Sequence, residues 1–162
     1  MDIFKIYTAI LKKALTDETT IYHVDQDFVY FGDTYHVYRF PIEEVPVDFS
    51  KTKARNITSI PEMFRESKYA TQVARTNDMK CAAGFRKETP CRRYYCPEFD
   101  IFFNESYLKE AQADGKDGRD YQSISVFANG NNKPALFCCA NYGPYAVILP
   151  VRFKSEVTDS AE

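Results

Sequence analysis

Residues 99–153 change hydrophobic period twice, and the change dictates an order of elements that few folds can accommodate. Residues 99–103 alternate as a strand, after which Asn104 offers an N-cap and Glu105 suits the positive end of a helix dipole. Tyr107, Leu108 and Ala111 then recur at helical spacing, and Gly115 and Gly118 mark the expected stop. Strands are predicted over 121–128, 134–140 and 145–153, separated by the Asn129-Gly130-Asn131-Asn132 and Asn141-Tyr142-Gly143-Pro144 turns. The unit therefore reads strand, helix, three strands.

The front of the chain has a similar order. Ile3, Phe4, Tyr7, Ile10, Leu11, Ala14 and Leu15 return at three- and four-residue steps, which predicts an amphipathic helix over 2–15 with Lys5, Thr8, Lys12 and Lys13 on its outer face. Three short extended runs follow, 20–24, 28–31 and 35–40. They are separated by Asp25-Gln26-Asp27 and Gly32-Asp33-Thr34, so a meander of antiparallel strands is expected. Pro41 and Pro46 end regular pairing near Val47. Helix then meander in front, and strand, helix, meander behind, predict a duplicated supersecondary unit in an α+β domain. The first repeat spans 2–47 and the second 99–153, with an insert over 48–98 and a C-terminal tail over 154–162.

The insert is the least regular part. Ser59 as a cap and Pro61 in a first turn predict a helix running to about Arg75. Gly84, Pro90 and Pro97, with interleaved charge, predict a loop or short hairpin beyond it. Charge is concentrated here: residues 51–98 hold eleven Lys/Arg against five Asp/Glu, whereas the rest of the chain holds ten against eighteen. The formal net charge of −2 thus conceals a basic segment on an acidic body.

At 162 residues, with 44% hydrophobic and 15% aromatic residues, one globular domain is expected. No apolar run is long enough for a membrane helix, and the N-terminus has no apolar signal core, so a cytoplasmic protein without membrane partners is expected. The odd number of cysteines, 5, fits free thiols in a reducing compartment.

The words of the last third carry a resemblance. A strand ending in Phe103-Asn104, a helix with Tyr107-Leu108 in its first turn, and a closing Leu149-Pro150-Val151-Arg152 resemble the final unit of a domain of the bacterial DNA sliding clamp, the β clamp of DNA polymerase. The resemblance is specific over 99–153, rests on element order over 2–42, and leaves the insert without a counterpart. It implies a single clamp-like domain made of two helix-plus-antiparallel-sheet repeats, of a small form that suits a phage or other mobile element. It also implies association into a homo-oligomer if a ring is to close around DNA.

What the resemblance implies for sites can be given by residue. Leu149, Pro150, Val151, Arg152 and Phe153 match the strand end that helps form the family's apolar peptide groove. Lys5, Lys12, Lys13 and Lys109 match the helix positions that face duplex DNA without reading its sequence. Glu105 and Glu110 with the acidic loop after them oppose that role, and a solvated mixed-charge face is the alternative. Independently of any family, Arg86, Lys87, Arg92, Arg93, Tyr94 and Tyr95 put guanidinium groups beside aromatic rings, a chemistry that grips phosphate and stacks on bases. The same run also fits contact with an acidic replication or host protein.

Metals, cofactors and catalysis find no signature. Cys81, Cys91 and Cys96 lack the paired spacing of a zinc site, and neither His23 nor His36 lies near them in sequence. There is no phosphate loop, nucleophile elbow or HExxH. Cys138 and Cys139 are adjacent on a predicted strand, so they must face opposite ways. A non-enzymatic, replication-accessory protein is expected. The alternative is an interaction module or inhibitor that keeps the fold and acts through its basic insert.

Overall fold

The computed structural model describes residues 1–69, 71–75, 80–81, 91–95, 100–113, 124–130 and 132–151, with 71–75, 80–81, 91–95 and 100 described by backbone. Helix α1 covers Ile3–Ala14. Its cap is Asp2, whose carboxylate accepts from the Lys5 N–H at 3.3 Å, and Lys12 and Lys13 sit in the last turn, where cations favour the dipole. Ile3, Ile6, Ile10 and Ala14 are buried, so the helix turns one face to the core, but that face is centred on Ile6 and leaves Phe4 and Leu15 of the expected stripe exposed.

Strands β1 (Ile21–Val24), β2 (Phe28–Gly32) and β3 (His36–Pro41) form the predicted antiparallel meander. Both of its turns use the same device. Asp25 accepts from the N–H groups of Asp27 and Phe28, and Asp33 accepts from those of Tyr35 and His36, so each aspartate supplies the acceptors that a strand partner would otherwise provide. Two-residue β4 (Arg55–Asn56) runs parallel to β1, and β5 (Thr71–Arg75), β6 (Lys80–Cys81) and β7 (Cys91–Tyr95) follow. Strand β8 (Asp100–Asn104) leads into helix α2 (Glu105–Glu110), capped by Asn104 through the Ser106 N–H at 2.9 Å. Strands β9 (Ser125–Ala128), β10 (Ala135–Cys139) and β11 (Gly143–Ile148) close the fold.

The molecule is α+β, built on a mixed sheet in the order β4-β1-β2-β3-β11-β10-β9-β5, with β6-β7-β8 as a smaller sheet. Its two meanders meet at their last strands, where β3 and β11 pair antiparallel through Tyr38 and Ala146, Val37 and Val147, and His36 and Ile148. Alternation along the strands then divides the core. Phe31, Tyr38, Phe40, Val126, Phe137 and Ile148 face the layer that contains α1, β8 and α2. Tyr30, Val37, Leu136 and Val147 face the other side, covered by Ile60 and Phe64.

Residues 48–98 are more integrated than an insert. They supply both outermost strands of the large sheet, two strands of the small one, and the cover of the second face. The expected helix over 59–75 does not form. Ile60–Phe64 and Glu66–Lys68 are 3₁₀ turns, Ser59 makes no side-chain cap bond, and Thr71–Arg75 is a strand paired with β9. Short turns let Ile60 and Phe64 both reach the sheet before the chain joins it as an edge.

Two ends also move. The last strand stops at Ile148; from there the Leu149 N–H donates to the Tyr35 carbonyl at 2.8 Å and the Val151 N–H to the Phe102 carbonyl at 2.7 Å, carrying the chain from the large sheet to β8. Helix α2 stops before the predicted glycines, because Gln112 takes the left-handed conformation (φ 54°) and the Ala113 N–H closes back on the Leu108 carbonyl at 2.8 Å. The tail over 154–162 lies outside the described residues. Among the described residues no helix is long and apolar enough to cross a membrane.

Gly32 closes the tight approach of β2 to the next strand. A Cβ there would lie 2.1 Å from the His36 carbonyl oxygen and 2.7 Å from the Val37 Cα, both backbone atoms that cannot step aside. Gly32→Ala is expected to lower stability by more than about 2 kcal/mol, read as a fall in the urea midpoint with an unchanged slope.

Candidate functional site

Both helices lie on one side of the sheet, and the lysines singled out from the sequence can be located there. Lys5 and Lys12 are exposed on α1, with Lys5 Nζ 3.7 Å from Asp2 Oδ2. Lys109, exposed on α2, has Nζ 4.0 Å from Glu105 Oε1. Lys13 turns inward, where Nζ lies 3.5 Å from Glu110 Oε2 and 4.0 Å from Asp33 Oδ2. Three of the four are thus shared with carboxylates of this chain, leaving Lys12 as the member of the set with no such partner among the described residues. Two exposed apolar side chains, Phe4 at 63% on α1 and Leu15 at 56% at its C-cap, share the helical spacing of the partly buried Tyr7 and Leu11.

Lys13 marks the rim of a buried ionic cluster that sequence reading missed. His36 is fully enclosed and sits between two carboxylates: Nε2 is 2.7 Å from Glu110 Oε1, and Nδ1 is 3.0 Å from Asp33 Oδ1, an ion-pair distance along a line too bent for a hydrogen bond. The Tyr38 hydroxyl donates to the same Glu110 oxygen at 3.0 Å. The Tyr107 ring stacks on the imidazole at 4.5 Å between centroids. The β2–β3 turn supplies Asp33, β3 supplies His36 and Tyr38, the end of α2 supplies Glu110, and α1 supplies Lys13. One cluster therefore joins four elements from both halves.

Electrostatics within it are cooperative. Burial pulls the His36 imidazolium down, but Asp33 and Glu110 outweigh burial and hold it above its ordinary value. Burial likewise raises Asp33 and Glu110, and the hydrogen bonds and charge of His36 outweigh that and hold both below the carboxylate range. Burial, then the Glu110 charge, pushes the Tyr38 hydroxyl well above its usual value. Two cations and two anions balance, and the imidazole has a carboxylate on each nitrogen. Enclosed, with Glu110 bonded at Nε2 and Asp33 beside Nδ1, the ring has no open side toward a substrate, so its geometry is that of a structural tie. The carboxylates lie off opposite sides of the ring; among the described residues no three metal-ligating side chains are placed to share an ion.

The remaining candidates do not join this site. Leu149 and Val151 are half-buried and Pro150 is buried, and the two backbone donors at 149 and 151 are spent within the chain, as described above. Arg92, Arg93, Tyr94 and Tyr95 fall on β7, the central strand of the small sheet. Arg86, Lys87, Arg152 and Phe153 lie outside the described residues. Cys138 and Cys139 do face opposite ways, toward the second face and the helix layer respectively. The chain matches no protein-family model, no curated protein and no solved structure.

The sign of the pH dependence follows from the cluster. The contribution of His36 is complete below its ordinary value of 6.5 and is lost as pH rises through its raised folded value. That of Asp33 and Glu110 is complete above 3.8 and 4.5 and is lost as pH falls through their lowered folded values. Thermal midpoints measured across pH should therefore peak between about 4.5 and 6.5 and fall on both sides. Glu110→Gln, which leaves the histidine short of one counter-ion, should cost about 3–5 kcal/mol in chemical denaturation at pH 6 and flatten the alkaline fall.

Proposed function

We propose that this protein is a single clamp-like domain with a non-enzymatic, replication-accessory role. The observation that carries the reading is the relation between the halves: each contributes a helix and a three-stranded meander, the meanders join through their last strands, and both helices pack on the same face. A clamp-like domain needs that arrangement, since it presents its helices together to the duplex. The exposed Lys5, Lys12 and Lys109 support loose, sequence-independent phosphate contact. The sealing of His36 between Asp33 and Glu110, away from solvent, supports the absence of acid–base catalysis at this cluster.

A second reading has its own observation. Phe4 and Leu15 leave apolar area uncovered on α1, and the neighbouring lysines are largely neutralised by the chain's own carboxylates, which suits docking on a protein better than gliding on phosphates. In that reading the module keeps a clamp-like architecture without encircling DNA.

Duplex retention and solution mass separate the two. For the clamp-like reading, sedimentation at tens of micromolar should show a closed homo-oligomer. Retention on immobilised duplex should also fall by about tenfold or more between ~50 and ~200 mM salt and weaken further in Lys12→Glu. A strict monomer with no salt-sensitive retention would sink it. Docking through α1 predicts instead that a captured protein partner is lost with Phe4→Ser/Leu15→Ser at unchanged thermal midpoint; undiminished capture by that variant counts against it.

A further inference from the structure

The face of the sheet away from the helices contains a cavity of about 550 Å³, in the range that holds drug-sized ligands. A local fault in pairing borders it. The β10–β11 register slips between Phe137 and Cys138, and Cys138 then lies opposite Pro144, which has no N–H to give to the ladder. Glu66 and Tyr69, in and just after the last 3₁₀ turn, border the cavity from the covering side. Tyr69, Phe127, Leu136 and Cys138 make an apolar wall. Tyr69 is pinned, because its hydroxyl donates to the Met63 carbonyl.

Charge at the cavity is lopsided. Glu66, exposed at the rim, is the one formal charge among the described lining residues. Among the cations whose side chains are described, Arg39 reaches a lining residue and is engaged there: its Nε donates to the Pro144 carbonyl at 3.0 Å, and its guanidinium carbon lies 4.4 Å from the Phe28 centroid and 5.4 Å from that of Phe64. Cys138 adds no charge. Burial, with the Glu66 carboxylate, pushes its thiol up to about 12, so it is a neutral apolar wall and a poor nucleophile at physiological pH.

We propose that this cavity binds a small primary amine with an aromatic or aliphatic body, the body entering between Tyr69, Phe127 and Leu136 and the ammonium remaining at the rim beside Glu66. The site is on the opposite side of the sheet from the helices and does not depend on either reading of the helix face. An exposed ion pair contributes a modest increment, so the apolar body supplies most of the affinity and Glu66 sets the preferred charge.

Three probes with one carbon skeleton test the assignment: 4-phenylbutylamine, 4-phenylbutanol and 4-phenylbutyrate, titrated into the full chain by calorimetry at pH 7. The expected result is saturable binding in the order amine, alcohol, acid, with the amine about twofold to fivefold tighter than the alcohol. Glu66→Gln, at an exposed position, should bring the amine down to the alcohol and leave the alcohol unchanged. Ala140→Trp, exposed at the cavity edge, should remove binding of all three at unchanged thermal midpoint. Absence of saturable binding of the amine, tighter binding of the acid, or undiminished binding by folded Ala140→Trp would each overturn the proposal.

Discussion

A histidine held between two carboxylates, out of water, is the constraint on which the rest of the molecule is arranged. An unpaired charge at His36 would cost several kcal/mol, so Asp33 and Glu110 must both stay within reach, and their positions fix more than themselves. Asp33 holds the β2–β3 turn closed while it faces the imidazole. Glu110 brings the end of α2 down on β3, and Lys13 ties α1 to the same carboxylate. At the other end of α1, the Gln112 side chain both accepts from the Asp2 N–H and donates to the Asp2 carbonyl, each at 2.8 Å. Those two bonds offset the cost, about 1 kcal/mol, of placing a non-glycine residue in the left-handed region. The helices are thus locked in register by polar contacts at two points, with apolar packing between them.

The two faces of the sheet divide the work differently. Toward the helices, large rings interlock: Phe31 stacks on Phe49 at 5.2 Å, and Phe103 meets Phe137 edge to face at 5.4 Å. Toward the 3₁₀ turns, Tyr30, Phe64 and the Arg39 guanidinium form a thinner layer, with the Tyr30 hydroxyl bonded to the turn aspartate Asp25 at 2.9 Å. A thinner cover is less able to fill a defect in the strands beneath it. The cavity borders the β10–β11 bulge on this side, while the Phe137 ring meets Phe103 on the other side of the same strand.

Much of this was legible in sequence, and the rest was hidden for identifiable reasons. The period of α1, the two aspartate turns and the Asn104 cap are local signals, complete within a few residues, and each is found where the pattern puts it. Residues 59–75 misled because Ser59 and Pro61 resemble a helix start, whereas the fold needs a short cover and then an edge strand. The ionic cluster was hidden for another reason. His36 and Glu110 stand 74 positions apart, and each on its own looks like an ordinary polar residue on a strand or a helix. One hint was available: His36 falls where the alternation of β3 turns side chains inward.

The seam between β3 and β11 also has a consequence for the order of folding events. Within each meander, strands pair with neighbours a few residues away, so hairpins can form and dissolve on the microsecond scale. Joining Tyr38 to Ala146 instead closes a loop of 108 positions, and that entropy is lost before any seam contact returns it. The barrier to the native state therefore sits at the meeting of two partly formed halves. Residues such as Val37 and Val147, buried on both sides of the seam, govern the speed of that meeting more than the lifetime of the finished molecule.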